Sequence, residues 1–394
     1  MKHVSQPFTD PEFVQNPYGF YDAARAHGPV VFWTEYGLPA LMGYAEVTAA
    51  LRDRRMGRVP PDGLPGFSPD MSDFARAEAF SLLNLEGDRH ARLRSHVLRA
   101  FTSRRVAALA PEIKALCESL IDAFPKETSF DLVAAYAARV PVIVIARLLG
   151  VPETACAQLL SWSHAMVAMY RPNVSAEDAR AANDASREFS DWLGHVMDTK
   201  RNNGKDDLLT ALLDAETHGA LTRDECLATV ILLLNAGHEA TVHSLGNAVV
   251  RLLSEGHADS LTAPKQIAAT VEECLRIDPP LHVFARYVLE PLEIGGHAFE
   301  PGDEVLCMLG AANRDPSAFD APDRFRPGRT GPTLTSFGAG VHFCLGAPLA
   351  RLELQIALQV LFERCPDLNL SMPAELADIY HFHGHARLMV TCGS

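Results

Sequence analysis

Phe337-Gly338-Ala339-Gly340-Val341-His342-Phe343-Cys344-Leu345-Gly346 is the stretch that decides how this chain is read. Gly338, Gly340 and Gly346 carry no side chain, so a flat ligand can approach the backbone closely there. A helix is predicted from about residue 346 to 364, with Pro348 in its first turn, where a missing N–H costs little. Leu349, Leu352, Leu354, Ile356, Leu358 and Leu361 cover most faces of that helix, which therefore belongs in a core. Cys344 then stands at the N-terminal end of a buried helix, where unsatisfied N–H groups and the positive end of the dipole favour a thiolate. A single core cysteine is ordinarily a small hydrophobe. The glycines, the helix start and the flanking Phe337 together favour a sulfur that holds a ligand.

Upstream of this turn, residues 87 to about 253 are helical in pattern almost throughout, with 3.6-residue periodicity over 104–124, 136–149, 179–197 and 208–216. The longest helical pattern covers 222–253 and opens on a capping box, Thr222-x-x-Glu225. After a further helix near 266–277 the character changes to short strands and turns, through Pro279-Pro280, Gly295-Gly296 and Pro301-Gly302. The N-terminal part mixes a short helix near 18–26 with strand-like pieces at 30–34 and 40–44. Residues 57–72 hold seven glycines and prolines, a loop of a length usually functional or mobile. No repeat or Ser/Gly linker divides the chain. The expectation is a mainly α fold with a smaller β region stitched from both chain ends, forming one domain over residues 1–394.

Composition narrows the function. The chain has 394 residues, 48% of them apolar, with 35 basic and 49 acidic side chains. The resulting charge of −14 argues against a nucleic-acid binder driven by phosphate contacts. No run of 18 apolar residues occurs, so no membrane anchor is expected. Asp10, Glu12 and Asp22 and the lack of an apolar core segment in the first thirty residues argue against a signal peptide. Eight scattered cysteines without a CxxC pair read as reduced thiols, and the expected location is cytoplasmic.

The ten-residue turn resembles the haem-binding loop of the cytochrome P-450 family, F-x-x-G-x-x-x-C-x-G, with Phe337, Gly340, Cys344 and Gly346 at its fixed positions. The resemblance implies a P-450-like fold in which haem b lies between the long central helix and the cysteine-loop helix. Cys344 would be the axial thiolate, a donor that favours O–O cleavage. Glu273 and Arg276 match the family's E-x-x-R pair, and Pro322-Asp323-Arg324-Phe325 matches the turn whose arginine joins that pair. Glu273, Arg276 and Arg324 are thus expected to brace the haem loop. His90 and Arg94, four apart on one helical face, together with Arg286 and His342, occupy the positions the resemblance assigns to haem propionates.

Ala236-Gly237-His238-Glu239-Ala240-Thr241 lies in the middle of the longest helix. Gly237 costs about 1 kcal/mol there against alanine, and a groove for haem and dioxygen would be a reason for it. A zinc site of the H-E-x-x-H kind fails, because His243 is rotated by about 140° from His238. The family pattern is [AG]-G-x-[DE]-T, and this chain departs from it. Ala240 stands where a hydroxyl residue usually helps deliver protons, and Thr241 follows. Three repairs are open: Thr241 or a water supplies the donor, the substrate's hydroxyl does, or peroxide is used directly. In the first two, Glu239 is the acid feeding the relay.

Substrate-pocket positions carried over from the family are Phe80, Leu82, Leu83, Leu233, Ala236, Ala240, Val283, Phe284 and Phe382. His381, His383 and His385 alternate as in a strand with one face toward solvent. Six arginines between Arg89 and Arg105, with no acid among them, form a local positive stretch toward which an acidic ferredoxin could be steered. The expected activity is a haem-thiolate monooxygenase inserting one atom of O2 into a small organic substrate, by hydroxylation or O-dealkylation. Electrons would come from NAD(P)H through a separate reductase and ferredoxin, since no fused reductase domain is expected. The alternatives are a peroxide-driven peroxygenase and a haem-binding sensor or carrier without turnover.

Overall fold

The structure is a computed structural model that describes residues 1–64, 66–126, 128–171, 174–201, 206–256, 261 and 263–393. Pro65, within the expected long loop, lies outside them. The chain divides into two compact units. The first comprises Met1–Asp62, Ala110–Val140 and Ala240–Ser394, and the second comprises Gly63–Leu109 and Pro141–Glu239. Two helices, Arg139–Leu149 and Arg223–Glu255, contribute residues to both.

Every strand among the described residues belongs to the first unit. Its main sheet has six strands in the order Lys2–Val4, Val30–Trp33, Leu38–Leu41, Glu304–Met308, Val283–Val288 and Met56–Gly57. Val283–Val288 pairs antiparallel with Glu304–Met308, placing Val283 opposite Met308 and Arg286 opposite Val305. Side chains alternate across a strand, and the sequence uses both faces. Leu306 and Met308 enter a core with Trp33, Tyr21 and Phe13, while Val305 and Cys307 enter another with Leu41, Val47 and Leu51. Sheet faces apolar on both sides must be covered on both sides.

The same unit holds the cysteine-loop helix, Ala347–Arg364, which packs on Ala110–Asp122 and on Pro264–Ile277. Tyr136, fully buried, donates its hydroxyl hydrogen to the Ala357 carbonyl at 2.8 Å. The periodic stretches 104–124 and 136–149 are each subdivided. The first breaks into Ser103–Ala108 and Ala110–Asp122, and the second is preceded by a π-helical turn at Val133–Ala137.

Within the second unit, which is helical, Ala176–Arg201 packs on Cys156–Val167 and on Ser72–Ala79. Trp162 stacks on Phe189 with ring centres 5.1 Å apart. Asn183 accepts hydrogen bonds from the N–H groups of Asp73 and Phe74, satisfying donors that the start of the Ser72–Ala79 helix leaves open. The expected capping box forms: the Glu225 N–H donates to Thr222 Oγ1 and the Thr222 N–H to Glu225 Oε2. Arg92 then pairs with the same carboxylate.

Asn313 is the node that positions the segment leading into the glycine turn. Its amide oxygen accepts from the Thr335 N–H at 2.7 Å, and its amide nitrogen donates to Ser336 Oγ at 2.8 Å. Ser336 in turn donates to the Leu275 carbonyl at 2.7 Å. All of these groups are buried, so a lost partner costs about 1–3 kcal/mol. Asn313→Ala is therefore expected to lower unfolding free energy by about 2–4 kcal/mol, read from the denaturant midpoint at unchanged slope. A change within about 0.5 kcal/mol, the range of an ordinary surface substitution, would show that the node does not fix this segment.

Candidate active site

The turn from Phe337 to Gly346 is built for its glycines. Gly338 and Gly340 have φ of +67° and +70°, a region that side chains other than glycine rarely adopt. A Cβ on Gly340 would lie 2.2 Å from the Leu51 carbonyl oxygen, so backbone, not a movable side chain, enforces the glycine. The Cys344 N–H donates to the Phe337 carbonyl at 2.9 Å, closing the loop, and the Arg351 guanidinium sits 4.4 Å from the Phe337 ring centre. Cys344 ends exposed, three residues before the first residue of the Ala347–Arg364 helix. Cys117, Cys156, Cys226, Cys274, Cys307 and Cys365 are buried, and burial pushes the thiols of Cys117, Cys156 and Cys307 up to about 11. Those are packing residues. Cys344 is the sulfur presented for chemistry.

Glu273 and Arg276 form a bidentate pair, with Arg276 Nε to Oε2 and Nη2 to Oε1 both at 2.8 Å, and both side chains under 5% exposed. The expected third member is corrected. Arg324 joins through its main-chain carbonyl, which accepts from Arg276 and from Arg329, while its own side chain is exposed. The guanidinium that reaches Glu273 is that of Arg329, at 3.2 Å. The turn after Pro322 carries Arg324 outward and brings Arg329 back inward, a reversal that a linear motif does not display. Burial tends to raise the Glu273 pKa, but Arg276, the Arg326 N–H and Arg329 outweigh it and hold the carboxyl below the usual range.

On the central helix, Arg223–Glu255, Glu239 sits beside two imidazoles. His164 Nε2 is 3.0 Å from Glu239 Oε1, and His238 Nε2 is 3.4 Å from it. Burial pushes the carboxyl up, but the bonds and charges of His164 and His238 prevail and hold it well below the usual carboxylate range. Glu239 is thus an anion at neutral pH. His164 has its pKa raised by the same hydrogen bond. No sequence motif marks His164: it follows Gln158, Ser161 and Ser163 as one polar residue among several in the Cys156–Val167 helix, and only the fold brings it to Glu239. Gly237 has a packing reason of its own, since a Cβ there would meet Ile145 at 3.2 Å. Ala240 presents a methyl group, and its carbonyl accepts from Ser244 Oγ at 2.7 Å.

The Cytochrome P-450 family model matches residues 261–374. Cytochrome P-450 107B1 of Saccharopolyspora erythraea is 36% identical over 383 residues, spanning 92% of this chain and 91% of that protein. The cytochrome P-450 monooxygenase PikC of Streptomyces venezuelae is 36% identical over 378 residues, spanning 93% and 88%. The chain belongs to the cytochrome P-450 family. A solved structure of P-450 BioI, in complex with an acyl carrier protein bearing hexadec-9Z-enoic acid, superposes with a TM-score of 0.91 at 33% identity, covering 97% of this chain and 100% of that one. The protein is a bacterial-type P-450 monooxygenase, and a haem carrier without turnover is set aside.

P-450 proteins bind haem b, and the first unit's residues fit that group: an exposed thiol on a glycine turn, with a buried Arg286 on the Val283–Val288 strand. His342 lies in the short turn Gly340–His342 before the sulfur. Val283 and Phe284 occupy opposite faces of the strand, and Phe382 lies 6.2 Å from the His243 ring. In the second unit, His90 (buried) and Arg94 share the Gly87–Ala100 helix, Leu82 and Leu83 form a 3-10 turn after Phe80, and Leu233 and Ala236 lie on the central helix. The positive stretch is partly neutralised there, Arg92 by Glu225 and Arg105 by Asp206.

The alternating histidines are not a strand face. Residues 381–386 form bends, and each imidazole goes its own way. His381 meets the Tyr36 hydroxyl at 2.9 Å, His383 lies buried 3.2 Å from Asp278, and His385 donates to the Glu375 carbonyl at 2.9 Å. Gly384 permits this, because a Cβ there would collide with His243 at 2.2 Å. Among the described residues no helix is long and apolar enough to cross a membrane.

The His164–Glu239 pair has a pH signature. A raised histidine stabilises fully below its ordinary pKa of about 6.5 and loses that contribution as pH rises through the folded value. A lowered carboxyl stabilises above about 4.5 and loses its contribution as pH falls. The stability gap between wild type and His164→Gln should therefore be widest between about pH 4.5 and 6.5 and close above it, as measured by denaturant unfolding across pH. A gap that widens above pH 7 would mean the pair is not charged as described.

Proposed function

We propose that this P-450 works as one haem-thiolate domain that inserts one oxygen atom from O2 into a C–H bond of a small organic substrate, by hydroxylation or O-dealkylation. Haem b supplies dioxygen activation when bound. Cys344 is its thiolate ligand; the exposed sulfur at the start of the buried helix carries this reading. Phe337 and Gly340 shape the loop around it, and Gly237 lies on the helix that the family uses for dioxygen. Arg286 and His342 are assigned to propionates, and the same role for His90 and Arg94 rests on the resemblance. Glu273 and Arg276, with Arg329, hold the loop in place.

The proton supply is where this chain departs from its family. Glu239, ionised at rest and bonded to His164, is a carrier that takes protons from an exposed imidazole and passes them inward. Thr241 is rotated by about 100° from Ala240 on the helix, so its hydroxyl does not replace the one missing at 240. A water or a hydroxyl of the substrate completes the relay, in the space a methyl group leaves. Phe80, Leu82, Leu83, Leu233, Ala236, Val283, Phe284 and Phe382 are the positions assigned to substrate. Electrons come from NAD(P)H through a reductase and a ferredoxin, with Arg89, Arg92, Arg99 and Arg104 as the exposed part of the positive stretch. Eight cysteines without a disulfide among them fit a cytoplasmic location.

Two measurements test this. Cys344→His should abolish product formation and shift the reduced carbonyl spectrum from thiolate to imidazole type; a thiolate spectrum surviving in the variant would place the ligand elsewhere. Ala240→Thr should sharply lower product formed per NAD(P)H oxidised, because the added side chain displaces the donor that occupies this space. Unchanged coupling would make position 240 idle. Equal turnover on hydrogen peroxide without reductant would favour the peroxygenase reading instead.

A further inference from the structure

The sequence excludes His243 as a second histidine for a metal at His238 and Glu239. The fold supplies a different one from another helix of the same unit. His164 Nε2 and His238 Nε2 lie 3.0 and 3.4 Å from Glu239 Oε1, and the three ligand atoms all fall within 4.8 Å of one another. His238 Nδ1 is 2.8 Å from the Leu234 carbonyl oxygen. A carbonyl only accepts, so Nδ1 carries a hydrogen and Nε2 is the ring nitrogen turned toward Glu239. That nitrogen is buried and lies 3.4 Å from the Glu239 carboxylate oxygen. A cation seated among these three ligand atoms takes the place of the protons that otherwise join imidazole and carboxylate.

We propose that His164, His238 and Glu239 form a divalent-cation site of the zinc type. Tetrahedral zinc with bonds of about 2.0–2.1 Å separates its ligand atoms by roughly 3.3–3.4 Å. The two measured edges, 3.0 and 3.4 Å, bracket that separation. The hydrogen bond to Leu234 fixes the His238 ring as outer partners of metal-bound imidazoles do. The His164 side chain is 62% exposed, which gives an ion its entry and leaves a fourth position to water, whereas His238 and Glu239 are 3% and 16% exposed. A cation seated there occupies the lone pairs of Glu239 and withdraws them from proton transfer. This consequence, though not the site, rests on the role given to Glu239 above. Zinc would then slow turnover without disturbing Cys344.

The test is calorimetric titration of zinc chloride into the untagged, haem-loaded protein. Wild type should show one tight site, weakened roughly tenfold or more in His164→Ala. The exposed position of His164 lets this variant fold, which an unchanged reduced carbonyl spectrum checks. Equal zinc affinity in the two proteins, or no tight site in wild type, overturns the proposal. Turnover is read separately: tight zinc binding that depends on His164 but leaves the rate unaffected supports the site and counts against Glu239 as the proton carrier.

Discussion

A guanidinium sealed in a protein interior is tolerated only when its donors find acceptors. Arg276 meets that condition with all five. Nε and Nη2 reach the two oxygens of Glu273, Nη1 reaches the carbonyls of Asn313 and Pro322, and Nη2 also reaches that of Arg324. The acceptors come from three separate stretches of chain: a helix, the Asn313 turn and the Pro322–Arg324 turn. Asn313 then grips Thr335 and Ser336, two residues that lead directly into Phe337. One buried cation thereby fixes where the cysteine loop starts. A buried ion pair is weak evidence for net stability; here its value is positional, because no apolar replacement could bind three main-chain carbonyls.

How much of this was legible depended on the range of the interaction. The cysteine loop, the capping box at Thr222 and the Glu273–Arg276 pair are local, and each is visible as a spacing of ten residues or fewer. The long central helix is likewise readable from its period. What the sequence could not order were contacts between distant residues of similar type. Arg324 and Arg329 lie five apart on one turn, and only the path of the main chain decides which guanidinium faces Glu273. His383 and His385 looked like one face of a strand, yet Gly384 and the collision it avoids with His243 bend the segment and send both inward. His164 was invisible for the same reason: nothing near it in the chain needs a histidine.

Gly237 shows how a packing reason and a functional reason can share one residue. A glycine within a helix calls for an explanation, and the sequence offers a groove for a flat cofactor. The fold offers Ile145, whose side chain comes within 3.2 Å of where a Cβ would sit. The second reason holds whether or not a ligand is present, so the glycine by itself is no evidence of one. Ala240 is different. Ser244 bonds its carbonyl, as a helical serine commonly does, and nothing in that contact demands a side chain as small as alanine. The departure from the family at 240 therefore points toward the substrate side of the reaction more directly than the glycine does.

Two clusters of two histidines and one carboxylate occur among the described residues, and electrostatics separates them. Asp278 receives the Tyr18 hydroxyl at 2.6 Å and His383 at 3.2 Å, with Arg251 at 3.8 Å and the Arg314 guanidinium 3.3 Å from the Tyr18 ring centre. His282 bonds Tyr21, which bonds Tyr380. The Asp278 charge is thus already balanced by fixed cations and hydroxyls, and His282 and His383 are shut from water. A divalent ion entering there would face two guanidinium groups and have no path in. Around Glu239 the surroundings differ: two imidazoles lie within 3.4 Å of the carboxylate, and one of them, His164, is open to solvent. The same three residue types therefore build a closed structural network in one unit and an exchangeable, cation-accepting site in the other.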